Sequence, residues 1–280
     1  MIMNEYILHT DLLTTESLTK AQSIFMAMPD LDKGVYSIKT DTQLSEQAIQ
    51  TLRQELECDI TKLPEGFSGS EIGLIVTDMD STLISIECID EIADMLGIKD
   101  KVSVITEAAM RGELDFAASL IQRVALLKGL PVEKLQQVYD ERLTLNPGAE
   151  KLLEHLQEQS IKIALVSGGF TFFTDKLKDK LGLNYTLANT LEVVDGRLTG
   201  RVSGDIIGAQ SKADLLLKLS AELGLEQHQV IAMGDGANDL LMMDEAGLSV
   251  AYHAKPAVQA KTNVQINYGG LDTVVDLLNV

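Results

Sequence analysis

The chain has 280 residues, 45% of them hydrophobic and 23% charged, which is enough apolar material for one large domain or a medium domain plus a small one. A formal net charge of −19 disfavours nucleic acid and anionic membranes as partners, and it obliges any anion-handling site to carry its own positive charge. Two cysteines, Cys58 and Cys88, argue against a disulfide framework; with no run of about 18 apolar residues and no secretory-type N-terminus, a cytoplasmic protein is expected.

In chain order, residues 5–10 read as a strand, after which Leu18, Ala21, Phe25 and Met28 recur at helical spacing. Residues 34–40 have the β-branched and aromatic character of a strand. Ser45 is a natural N-cap for a helix carrying Ile49, Leu52 and Leu56 on one face. This βαβα pattern makes residues 1–70 a small α+β N-terminal module, closed by a linker at 63-LPEGFSGSE-71. No motif in it carries chemistry, which favours a regulatory or dimerising appendage.

From residue 72 the pattern changes. Short apolar strands at 72–77, 162–166, 230–233 and 248–251 alternate with helices, which predicts an α/β fold with a doubly wound parallel sheet over 71–280. Ligands of such sheets bind beyond the carboxyl ends of the strands. The polar stretches 77-TDMDST-82, 167-SGG-169 and 234-GDGAND-239 each follow one of those strands. Between the first two lies an inserted helical cap, about 87–145. Its stripes are Ile89, Ile92 and Leu96, then Phe116, Leu120, Val124 and Leu127, then Val132, Leu135 and Val138 after Pro131 at a helix start. Asp195-Gly196 predicts a two-residue hairpin turn.

Asp78 and Asp80 pose the sharpest question. On a strand, residues i and i+2 point the same way, roughly 6–7 Å apart. Like charges tolerate that arrangement when a divalent cation lies between them and further acidic groups, and Asp235 and Asp239 follow another strand at the matching edge. A loose set of hard oxygen ligands suits Mg²⁺. Acidic residues at strand ends are also turn formers, but that reading weakens once the second cluster is counted. Ser167, Gly168 and Gly169 offer a hydroxyl and close backbone approach to a phosphate, and Lys212 offers an ammonium at a helix start. Each alone reads equally well as an ordinary turn or a surface lysine.

The ordered set Asp-x-Asp, Ser, Lys and Gly-Asp-x-x-x-Asp resembles the haloacid dehalogenase (HAD) superfamily over about residues 72–275. Within it, DMDSTLISIECIDEIA, AAMRGELDFAASLIQRVALLKGLP, VSGGF and MGDGANDLLM are similar to the phosphoserine phosphatase family. The resemblance implies a Rossmann-like HAD core and Mg²⁺-dependent hydrolysis of O-phosphoserine through an aspartyl-phosphate, the last step of serine biosynthesis. It implies Asp78 as nucleophile and Asp80 as the group that protonates the leaving serine oxygen and then deprotonates water. Mg²⁺ would be held by the carboxylates of Asp78 and Asp235 and the carbonyl of Asp80, with Asp239 in support. Ser167 and Lys212 would hold the phosphoryl oxygens. For the serine end it implies Glu87 on the ammonium and Arg123 on the carboxylate. Met110 and Phe116 would line the pocket, while Gly168, Gly169 and Asn238 add contacts. Arg111 rivals Arg123, but its context fits a cap loop.

The N-terminal module lies outside that resemblance and is similar to small βαββα amino-acid-binding, ACT-like domains, so serine feedback and a homodimer are the roles it suggests. Two other readings stand beside hydrolysis. One is a phosphotransferase that passes the phosphoryl group to another amino alcohol. The other is a non-enzymatic phospho-accepting receiver, against which Asp80 and the cap both argue, since receivers have neither.

Overall fold

The computed structural model describes residues 4–10, 13–32, 35–110 and 113–280, of residue 110 the backbone alone. The N-terminal module comprises β1 (Asn4–His9), α1 (Thr15–Phe25), β2 (Asp30–Asp32), β3 (Val35–Thr40), α2 (Glu46–Leu56) and β4 (Asp59–Lys62). Its sheet is antiparallel in the order β2-β3-β1-β4, the split βαββαβ arrangement. The hydroxyls of Thr14 and Ser45 cap the two helices by accepting from the amides of Ser17 and Ala48. Tyr6 and Phe25, ring centroids 4.9 Å apart, pack with Ile38, Leu52 and Ile60 between the helices and the sheet.

Two strands exceed the βαβα expectation. β2 is three exposed residues, and β4 opens on a buried aspartate, so neither shows the apolar alternation by which strands are read. Met28 falls outside the predicted stripe because α1 ends at Phe25 and Met26 turns left-handed at φ 54°. The expected linker is also no loose tether. Leu63 donates its amide to the Glu5 carbonyl at 2.9 Å and Gly69 donates to the Val280 carbonyl at 2.9 Å. A side chain at Gly69 would run into the backbone of Leu277 and Leu278.

The larger unit follows as β5 (Leu74–Thr77), α3 (Cys88–Met95), α4 (Lys99–Met110), α5 (Phe116–Ala125), α6 (Val132–Glu141), α7 (Ala149–Glu158), β6 (Lys162–Phe170), α8 (Thr171–Leu181), β7 (Tyr185–Val194) and β8 (Arg197–Ser203). It ends with α9 (Ala209–Leu223), β9 (Val230–Gly234), α10 (Leu240–Asp244), β10 (Leu248–Tyr252), α11 (Pro256–Gln259), β11 (Val264–Ile266) and α12 (Thr273–Leu278). Strand order is β11-β10-β9-β5-β6-β7-β8, parallel throughout except for β7 with β8. β5 is central and wholly buried. Its alternation sends Leu74 and Val76 into one apolar layer and Ile75 into the other, as a sheet with helices on both faces requires.

Asp195 (φ 50°) and Gly196 (φ 73°) make the predicted turn between β7 and β8, both in the left-handed region that a type I′ hairpin needs. That hairpin then carries the cap. Gly129 donates to the Leu198 carbonyl and Leu198 to the Leu130 carbonyl, both at 2.8 Å, and Val132 donates to the Gly196 carbonyl at 3.0 Å. In the cap, Ile89, Ile92, Leu120, Val124, Leu127, Leu135 and Val138 are buried as their spacing predicts. Leu96, beyond the end of α3, is exposed instead.

Candidate active site

β5 stops at Thr77, so the premise that Asp78 and Asp80 share one strand face does not hold. Asp78 is still extended (φ −68°, ψ 163°), but residues 79–83 form a tight turn in which Ser81 is left-handed at φ 56°. Two like charges at the end of a buried strand gain by separating, and the turn separates them. The Asp78 carboxylate accepts a 2.6 Å bond from Lys212 Nζ, which also donates to Asp239 Oδ1 at 2.7 Å. Asp80 points toward the cap instead. Its Oδ1 accepts from the Cys88 amide at the start of α3 at 2.8 Å, and its Oδ2 accepts from Ser167 Oγ at 3.3 Å.

Asp78, Asp235 and Asp239 bring one carboxylate oxygen each within 4.8 Å of one another. Three carboxylates and the single ammonium of the fully buried Lys212 leave a formal charge of −2, and all the donors are hard oxygens, so the set fits a divalent cation. Burial, with Asp239 adding repulsion, pushes the Asp78 carboxyl well above its ordinary range; the same two causes push Asp235 up to about 6. For Lys212 burial opposes the charge, but Asp239 and Asp78 outweigh it and raise the ammonium's pKa. Asp239 is aimed by the Gly236 amide, which donates to its Oδ2 at 3.0 Å, and a side chain at Gly234 would collide with it. Asn238 lies beside it, its Nδ2 3.5 Å from Asp239 Oδ1.

Ser167, buried at the end of the apolar part of β6, accepts the Gly169 amide at 2.8 Å. A β-carbon at Gly169 would stand 2.7 Å from Asp80 Oδ2, and one at Gly168 would stand 2.8 Å from Phe116 Cζ. A side chain at either glycine would have to displace a neighbour, and Phe116 approaches the turn from the cap. Glu87 precedes α3 and accepts a 2.7 Å bond from Ser81 Oγ. Its cleft, chiefly by desolvation and then by Asp80, pushes its carboxyl up to about 7. Arg123, half-buried on α5, donates from Nε to the Ser119 carbonyl at 3.4 Å. Burial lowers its guanidinium pKa while Asp90, Glu87 and Asp80 oppose that shift, so it lies within the field of the acidic cleft. The Met110 side chain and Arg111 lie outside the described residues.

Ser81 and Thr82 have roles that motif reading passed over. Ser81 fixes Glu87, and Thr82 Oγ1 lies 3.4 Å from Asp235 Oδ1. Their position directly after Asp80 was the available signal. Among the described residues no helix is long and apolar enough to cross a membrane.

The haloacid dehalogenase-like hydrolase family model matches residues 75–244. A phosphoserine phosphatase of Polaromonas sp. is 56% identical over 214 residues, 75% of this chain and 91% of that one. The unliganded structure of a probable phosphoserine phosphatase from Vibrio cholerae superposes with a TM-score of 0.85 at 41% identity, covering 98% of this chain and 86% of that one. A phospho-aspartyl intermediate analogue of a phosphoserine phosphatase superposes with a TM-score of 0.68 at 42% identity, covering 73% of this chain and 97% of that one.

Proposed function

The chain belongs to the haloacid dehalogenase-like hydrolases, among their phosphoserine phosphatases, and from that premise we propose that it hydrolyses O-phosphoserine to serine and phosphate through an aspartyl-phosphate. The observation that carries this reading is the division of the two aspartates, Asp78 on the ammonium of Lys212 and Asp80 on the cap side. Lys212 favours the ionised, nucleophilic form of Asp78 against the burial that would protonate it. An Asp78 oxygen attacks phosphorus, the bond from phosphorus to the serine oxygen breaks, and that oxygen takes a proton from Asp80.

Desolvation raises the Asp80 carboxyl, which suits it to hold that proton, and its bonds to the Cys88 amide and Ser167 fix where the proton is delivered. Water then attacks phosphorus, gives its proton to Asp80, and Asp78 leaves. Ser167 and Lys212 hold the phosphoryl oxygens. Glu87 and Arg123 take the ammonium and carboxylate of serine, with Phe116, Met110 and the amides around Gly168 and Gly169 shaping the pocket beside Asn238.

Mg²⁺ would be held by Asp78, Asp235 and the Asp80 carbonyl, with Asp239 in support, and when bound it supplies charge neutralisation at the phosphoryl oxygens. Two free, buried cysteines suit a reducing, cytoplasmic setting, where the reaction would be the last step of serine biosynthesis. The N-terminal module is proposed as a regulatory or dimerising unit. Phosphate release from a panel of phosphorylated amino acids and sugars, with and without Mg²⁺, tests the reading. Preference for phosphoserine is the expected result; equal activity on sugar phosphates overturns the substrate, and transfer to added amino alcohols in place of phosphate release overturns hydrolysis.

A further inference from the structure

The pairing of β6 with β7 is interrupted at one place, between Val166 opposite Leu187 and Phe170 opposite Asn189, so the segment Ser167–Gly169 bulges out of the ladder. A bulge re-aims side chains but leaves backbone groups without ladder partners. The Asn189 side chain answers that need. It is fully buried, and its Nδ2 donates to the Gly168 carbonyl at 2.9 Å and to the Ile207 carbonyl at 3.2 Å. Its Oδ1 accepts from the Ile207 amide at 2.8 Å. Ile207 adjoins Gly208, the cap of α9, whose carbonyl accepts from the Lys212 amide at 3.1 Å.

One carboxamide therefore joins the loop that presents Ser167 to the loop that launches Lys212. Only Asn matches this set of partners. An ionised Asp offers no donor, Gln is a methylene too long for a close-packed site, and Ala leaves these backbone groups without their partner.

We infer that Asn189 is a positioning residue for phosphoryl binding, setting the distance between Ser167 and Lys212 while touching no substrate itself. This rests on the proposed function only in placing a phosphoryl group between those two residues. Misplacing one of the pair by a fraction of an ångström weakens anion binding and turnover, but leaves the charged anchors of the serine end, Glu87 and Arg123, in place.

The test compares wild type with Asn189→Ala and the small, uncharged Asn189→Ser, all loaded with Mg²⁺. Binding of inorganic phosphate and of L-serine is titrated separately by calorimetry, alongside kcat and the thermal midpoint. Phosphate affinity is expected to fall about tenfold or more and kcat by about 10–100-fold, with L-serine affinity within about twofold of wild type. Phosphate affinity within about twofold of wild type in a folded variant overturns the inference, and so does equal weakening of phosphate and serine. If Asn189→Ala does not fold, the uncharged Asn189→Ser carries the same comparison. Should wild type prefer another phosphomonoester, the substrate proposal fails while the phosphate titration still decides the role of Asn189.

Discussion

Asp78 and Asp80 are chemically identical and differ only in their partners, so substitution should separate them. Asp80→Asn keeps the shape and the bond from the Cys88 amide but removes the proton that is moved. Its kcat is expected to fall by about 10²–10⁴-fold, with Mg²⁺ affinity nearly unchanged by calorimetry; intact turnover would refute the acid–base role. Burial and the nearby Asp80 push the Glu87 carboxyl up to about 7, and only its ionised form attracts an ammonium. The KM for phosphoserine should therefore rise as pH falls below about 7, and Glu87→Gln should give a high KM that no longer varies across that range. Asp235, raised to about 6, must be deprotonated to bind a cation. Mg²⁺ affinity should consequently increase as pH rises through 6, with proton release visible below that pH in buffers of different ionisation enthalpy.

At the scale of elements, the bulge in β6 and the turn after β5 do the positioning, and both depend on backbone geometry. Gly169 sits where a β-carbon would press on the Asp80 carboxylate. Gly169→Ala should lower kcat about tenfold or more while shifting the thermal midpoint little, because the site must give way and the core need not. β5, β6, β9 and β10 were legible to within a few residues, since buried parallel strands are continuous apolar runs, whereas the three-residue edge strand β11 was not read. The hairpin turn was legible from Asp195-Gly196. β4 was not, because its buried Asp59 is there to satisfy another part of the chain, and a buried charge in a four-residue strand imitates a loop. The bulge was equally hidden: its glycines mark a turn but do not say which side chain fills the gap.

Across the whole molecule, the N-terminal module is built into the phosphatase unit. The fully buried Asp59 carboxylate accepts the amides of Asn267, Tyr268 and Gly269 at 2.8, 3.0 and 2.9 Å. Arg53 donates to Gln265 at 2.7 Å, His9 meets Asp276 at 3.0 Å, and Ile7, Val35 and Leu63 join the larger core. Asp59→Ala would leave three backbone donors at 267–269 without their acceptor, and equilibrium urea unfolding should show a loss of about 1–3 kcal/mol.

By itself the sequence determined which chemical groups stand at the carboxyl ends of the strands and in what order, because each motif is local and follows a short apolar run whose length and flanking turn residues mark a buried strand. Tertiary structure decided how those groups are shared. The bridge of Lys212 between Asp78 and Asp239, the turning of Asp80 toward Cys88, the staple of Asn189 and the clasp of Asp59 join residues far apart in the chain. Such contacts, like the left-handed Ser81 that parts the two aspartates, arise from satisfying buried polar groups in three dimensions, a requirement with no periodicity along the chain.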